Sequence, residues 1–165
     1  MPTSTVKNIK ITGGDKYKAV LVKIAEQHVG VRVGILEGAT TTDGEPIAPY
    51  AAANEFGSHA EFEGREVIIP SRPFLRQTAG KKQGEWIRDI EHVMRGNPDK
   101  GNEAMHVVGQ IMRADIVAEI EGGDFVQNAD ITIKRKRDKG KEDPDHPLID
   151  TGQMMEAVSY EVVKT

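Results

Sequence analysis

The chain has 165 residues, a formal net charge of −4 and no cysteine. That length favours one domain, residues 1–165, with a sizeable core. The missing thiol excludes disulfides, thiolate catalysis and cysteine-based zinc sites, and the acidic balance argues against a general nucleic-acid binder.

Hydrophobic residues at 38% and charged residues at 29% fit a soluble globular protein with long polar loops. The opening residues, MPTSTVKNIKITGG, hold no continuous apolar run, so no secretory signal is expected. No apolar run approaches the length of a membrane span.

Tyr17, Val20, Leu21, Ile24, Ala25 and His28 recur at helical spacing, with Asp15 as the expected N-cap. Gly30 stops that helix, and Val31–Leu36 alternates as a strand. Glu37–Pro46 is a polar loop with an Asp43-Gly44 turn signal. Pro49–Gly57 reads as a short helix, with proline near its start and a C-cap glycine. Phe62–Ile69 reads as a strand, ended by Pro70 and Pro73.

A longer helix is predicted from Pro73 to Arg95, with Trp86, Ile87, Ile90, Val93 and Met94 as its apolar stripe. Gly80 and Gly84 predict a break or a poorly helical start in its first half. A further helix, Glu103–Glu121, follows an expected Asn102 cap and turns Met105, Val108, Ile111, Met112, Ile116 and Ile120 to one face. Ile131–Ile133 fits either a strand or the first turn of a helix. A polar basic loop, 134–146, leads to Pro147, and Val158–Val163 alternates as the last strand. Interleaved short strands and longer helices predict an α+β fold: a small antiparallel sheet packed against helices, with long mobile loops.

Asp150-Thr151-Gly152 matches the half site of an aspartic protease. That chemistry needs two carboxylates a few ångströms apart, and the sequence holds one such triplet. The favoured reading is a structural turn. Pro147 fixes the entry, Leu148 and Ile149 plug into the core, and Asp150 or Thr151 caps the Met154-Met155 turn after Gly152.

Lys134, Arg135, Lys136, Arg137, Lys139 and Lys141 make six of eight consecutive residues basic. Such a run can neutralise phosphates without reading sequence. The competing reading is a solvated loop balanced by Glu142, Asp143 and Asp145, and no aromatics are interleaved for base stacking. None of the five histidines forms a His-x-x-x-His pair; Glu103 and His106 have Glu-x-x-His spacing, but a dimetal site needs that motif twice, and no nucleophile, base and oxyanion-donor set assembles. A non-enzymatic protein without metal or cofactor is expected.

Three segments, AAANEFGS, IIPSRPFLRQTAGK and ITIKRK followed by PLIDTGQMMEAVSYEV, stand in an order that resembles the tailed-bacteriophage virion morphogenesis proteins. These are the neck, head–tail joining and tail completion proteins. The family pattern looks like NEFGT, IPARPFLR, TIxRK and PLIDTGxLxxSIxYEV; here Ser58, Met154 and Ala157 depart from it at nearly constant size.

The resemblance implies a virion structural protein of a phage or prophage, made in the bacterial host cytoplasm. It would be placed at the neck or head-proximal end of the tail. Its partners would be copies of itself in a ring, the head connector and tail proteins, with transient contact to phage DNA. Glu37–Pro46 and Asp124–Asp145 are the candidate interface loops. Arg72, Phe74 and Arg76 are candidate anchors by their hot-spot composition; the alternative is a corner that packs the helix start.

Overall fold

The computed structural model describes residues 28–62, 65–96 and 99–164. The helix expected over Tyr17–His28 lies outside them, apart from His28 itself.

Val29–Ile35 forms β1 and Val158–Lys164 forms β4; the two pair antiparallel. Both carry β-branched residues at alternate positions, which suits a pleated surface with one buried face. Register sets Val31 against Val162, Val33 against Tyr160 and Ile35 against Val158. These partners therefore share one side of the ribbon, and that side packs on helix α3, Gly101–Gly122.

Between the ribbon strands lie helix α1, Ile47–Phe56, then a hairpin of β2, Ser58–Phe62, and β3, Arg65–Ile69. Helix α2 spans Phe74–Gly96 and packs along α3. Helix α4 spans Asp130–Asp138, and α5 is a single turn, Gln153–Glu156. The architecture is α+β, a small antiparallel sheet against helices.

Two apolar clusters fill it. Phe74, Ile116, Ile120, Phe125, Leu148 and Val158 anchor the larger, which also takes in Ile47 and Met154. Met94, Ala104 and Met105 make the smaller, against Val29, Val31 and Val162. Leu148 plugs the core as expected; Ile149 packs on it only partly buried.

Four sequence expectations are corrected. Helix α2 runs through Gly80 and Gly84 without a break. Its contacts with α3 offset the poor propensity: Trp86 Nε1 donates to Asp115 at 2.7 Å, and Gln77 and Lys81 both donate to Glu119. The strand expected over Phe62–Ile69 is a hairpin that begins at Ser58. Asn102 does not cap α3, whose N-cap position is Lys100. The basic stretch is not a loop to Asp138, because Lys134–Asp138 continue α4.

Candidate functional site

The end of α1, the Pro70–Pro73 corner, the 126–128 segment, α4 and the 146–153 return converge on one place. Glu55 is buried at the end of α1. Its carboxylate accepts the backbone N–H groups of Leu75 and Arg76, at 2.9 and 3.1 Å, and so satisfies donors that a helix start leaves without partners. Arg76 Nε donates to the same carboxylate at 2.9 Å, and its guanidinium lies 4.9 Å over the ring of exposed Phe56. Gly57, with φ 78°, lets the chain leave α1 close to Ile69 and Ser71; a Cβ there would lie 3.1 Å from their backbone.

For Arg72 the sequence leaves two readings, an anchor for a neighbour or part of a corner that packs the helix start. Arg72 is 5% exposed and its donors are taken within the chain. Nε reaches the Val126 carbonyl at 2.7 Å, Nη1 reaches Asn54, and Nη2 reaches the Gln127 carbonyl and Asn128. Phe74 is fully buried in the larger cluster. Both therefore belong to the corner that packs the helix start, and of the three candidate anchors only Arg76 is solvent-exposed.

Lys136 is corrected in the same way. It sits in α4, 6% exposed, and its ammonium donates to the carbonyls of His146 and Ile149. Burial holds it below the usual lysine range, an effect partly offset by Asp150 and Asp143 and reinforced by Arg72 and Lys141. Burial lowers the Arg72 guanidinium likewise. Asn128 completes the clasp by donating to the His146 carbonyl at 2.9 Å. Of the remaining basic residues, Lys134, Arg135, Arg137 and Lys139 are exposed. Arg137 lies 3.7 Å from Asp145, and Lys141 lies 4.0 Å from Asp150.

The Asp-Thr-Gly turn carries no side-chain cap. Gly152, in the left-handed region at φ 80°, is the N-cap position of α5, and neither Asp150 nor Thr151 bonds to that helix start. Glycine conformation makes the turn in place of an Asp150 or Thr151 cap. The expected interface loops are also tied down. Ile47 N bonds Ala39 O, Thr41 N bonds Glu45 O at 2.8 Å, and Gln153 reaches Thr42 at 3.0 Å. Asp124–Asp145 contains α4 and the buried Phe125 and Asn128.

Beside the clasp opens a cleft of about 630 Å³. Its charged lining is four cations, Arg72, Arg135, Lys136 and Lys139, and one carboxylate, Asp150; Pro147, Thr151 and Gly152 also line it. Tyr50, Ile68 and Ile131 line it too, and Ile68 and Ile131 are 60% and 66% exposed. Asn54, Glu55, Ile68 and Ile131 stand inside the segments that carry the resemblance, but the sequence assigns them no role in a site, and it singles out neither Tyr50 for a site nor Asn128. Glu55, the one charged residue of α1, ahead of two arginines, was the available signal.

No family model, curated protein or solved structure matches the chain.

Proposed function

We propose that this chain is a structural protein of a tailed phage or prophage virion that joins head to tail or completes the tail, working by assembly and not by catalysis. The observation that carries this reading is convergence. The motifs that resemble the virion morphogenesis proteins are far apart in sequence, yet Asn54-Glu55, Arg72–Arg76 and His146–Ile149 lie in one hydrogen-bonded clasp. The residues of the resemblance thus maintain a shape. A cleft with exposed apolar side chains beside cations has the composition of a contact surface.

The test is immunogold labelling of purified particles of the phage that encodes the chain. Label at the neck or head-proximal tail supports the reading, and particles without label remove it.

A second reading, nucleic-acid binding, is favoured by the exposed Lys134, Arg135, Arg137 and Lys139. It requires binding to short duplex DNA that falls steeply between about 50 and 200 mM salt.

A further inference from the structure

The positive charge that the cleft leaves free is narrower than its lining. Arg72 has its donors taken by Asn54, Asn128 and two carbonyls. Lys136 donates to two carbonyls, and Asp150 and Asp143 offset its charge. Arg135 and Lys139 remain. Both are exposed, and among the described residues neither side chain has a hydrogen-bond or ion-pair partner. With Ile131 they recur at every fourth position along α4 and its C-cap, so the three share one face. Like charges at that spacing repel each other, and a pair of incoming carboxylates relieves the repulsion.

Apart from Ile131, the large exposed apolar side chains of the cleft come from other elements, Ile68 from β3 and Tyr50 from α1. An extended chain turns alternate side chains to opposite sides, and its residues i and i+2 stand about 6.5–7 Å apart. That is close to the roughly 5–6 Å between helix positions i and i+4. Two carboxylates at i and i+2 therefore reach Arg135 and Lys139 together, while the side chain between them turns towards Ile68 and Tyr50.

We infer that the cleft is the docking site for an extended acidic segment of a different virion protein, one with an apolar side chain between two carboxylates. The inference rests on the assembly reading and adds the chemistry of the partner. The chain itself is a poor source of the segment. Residues 1–27 hold five lysines against Asp15 and Glu26, the wrong sign. Its own triplets of this pattern are engaged. Asp89-Ile90-Glu91 and Glu119-Ile120-Glu121 lie in helices, and Glu61-Phe62-Glu63 begins in β2, paired to the β3 that forms the wall. A phosphate backbone fits less well. Two free cations and exposed isoleucines give it little to hold, and a chain of net charge −4 repels a polyanion.

The test is a titration of the isotope-labelled full chain with the blocked peptide Ser-Glu-Leu-Glu-Ser, followed by amide chemical shifts. Saturable binding with a Kd of about 1 mM or below is expected. Replacing the leucine of the peptide by serine is expected to weaken it about fivefold, and Ile131→Ser should remove that preference. Arg135→Glu with Lys139→Glu is expected to weaken binding about tenfold. The same variant is expected to gain binding of Ser-Lys-Leu-Lys-Ser, which the parent chain does not bind; a merely misfolded variant makes no such gain.

No saturable binding up to about 10 mM peptide, equal binding by the charge-reversed variant, or no gain of the lysine peptide overturns the inference. Self-association at low salt that the charge-reversed variant loses gives the cleft to a second copy, and duplex DNA binding that it loses gives the cleft to nucleic acid; either result overturns the inference too. Neck labelling without peptide binding removes this site but leaves the assembly role. Peptide binding without neck labelling does the reverse.

Discussion

The Glu55 carboxylate accepts both the backbone N–H and the side-chain Nε–H of Arg76, at 3.1 and 2.9 Å. One buried acid thus fixes the exit of α1, the start of α2 and the position of Arg76 over Phe56. Glu55→Ala strips these donors of their acceptor inside the fold. The expected loss is about 3 kcal/mol, read from urea unfolding. Arg76→Ala is expected to cost about 1 kcal/mol, because the Arg76 side of the pair is solvated.

Lys136 gives a pH signature. Its folded value lies below the unfolded one, so the unfolded chain binds more protons between the two. Its contribution therefore makes stability rise with pH across that window, up to the unfolded value near ~10.4. Lys136→Met removes the rise. It also lowers stability at neutral pH by about 2 kcal/mol, since the His146 and Ile149 carbonyls lose their donor. In urea titrations the advantage of the parent chain over Lys136→Met should widen from neutral pH to about pH 10.

Gly109 lies beneath the Tyr160 ring, and a Cβ there would stand 2.3 Å from it. Gly109→Ala gains helix propensity of about 1 kcal/mol but overpacks the α3–β4 contact. The expected net loss is about 1–2 kcal/mol in thermal unfolding. Adding Tyr160→Leu should recover part of it.

The Asp-Thr-Gly turn separates two explanations of its own residues. Gly152→Ala should cost about 1 kcal/mol through its positive φ alone, since nothing lies within 4 Å of the added Cβ. Asp150→Ala should stay within about 0.5 kcal/mol, because Asp150 caps nothing and is exposed. A larger loss for Asp150→Ala would restore the capping explanation.

The ribbon strands were legible because Val31–Ile35 and Val158–Val163 alternate, and Gly57 because a helix end needs a positive φ. Their pairing was not, since it joins residues as far apart as Arg32 and Glu161. The hairpin was half hidden. Val67, Ile68 and Ile69 read as a strand, whereas Ser-His-Ala-Glu-Phe before them has little β-branched character.

The basic stretch misled for a physical reason. Neighbouring cations repel in a free helix, but Lys136 reaches two carbonyls of the 146–149 return and ties α4 to the fold. Arg72 looked like an anchor because composition alone does not reveal that carbonyls of Val126 and Gln127, more than fifty residues away, take its donors.

The most direct measurement is electron microscopy of lysates from the phage with this gene deleted. An assembly role at the neck predicts DNA-filled heads and separate tails, with whole particles returning when the gene is supplied in trans. Normal, intact particles from the deletion would contradict it.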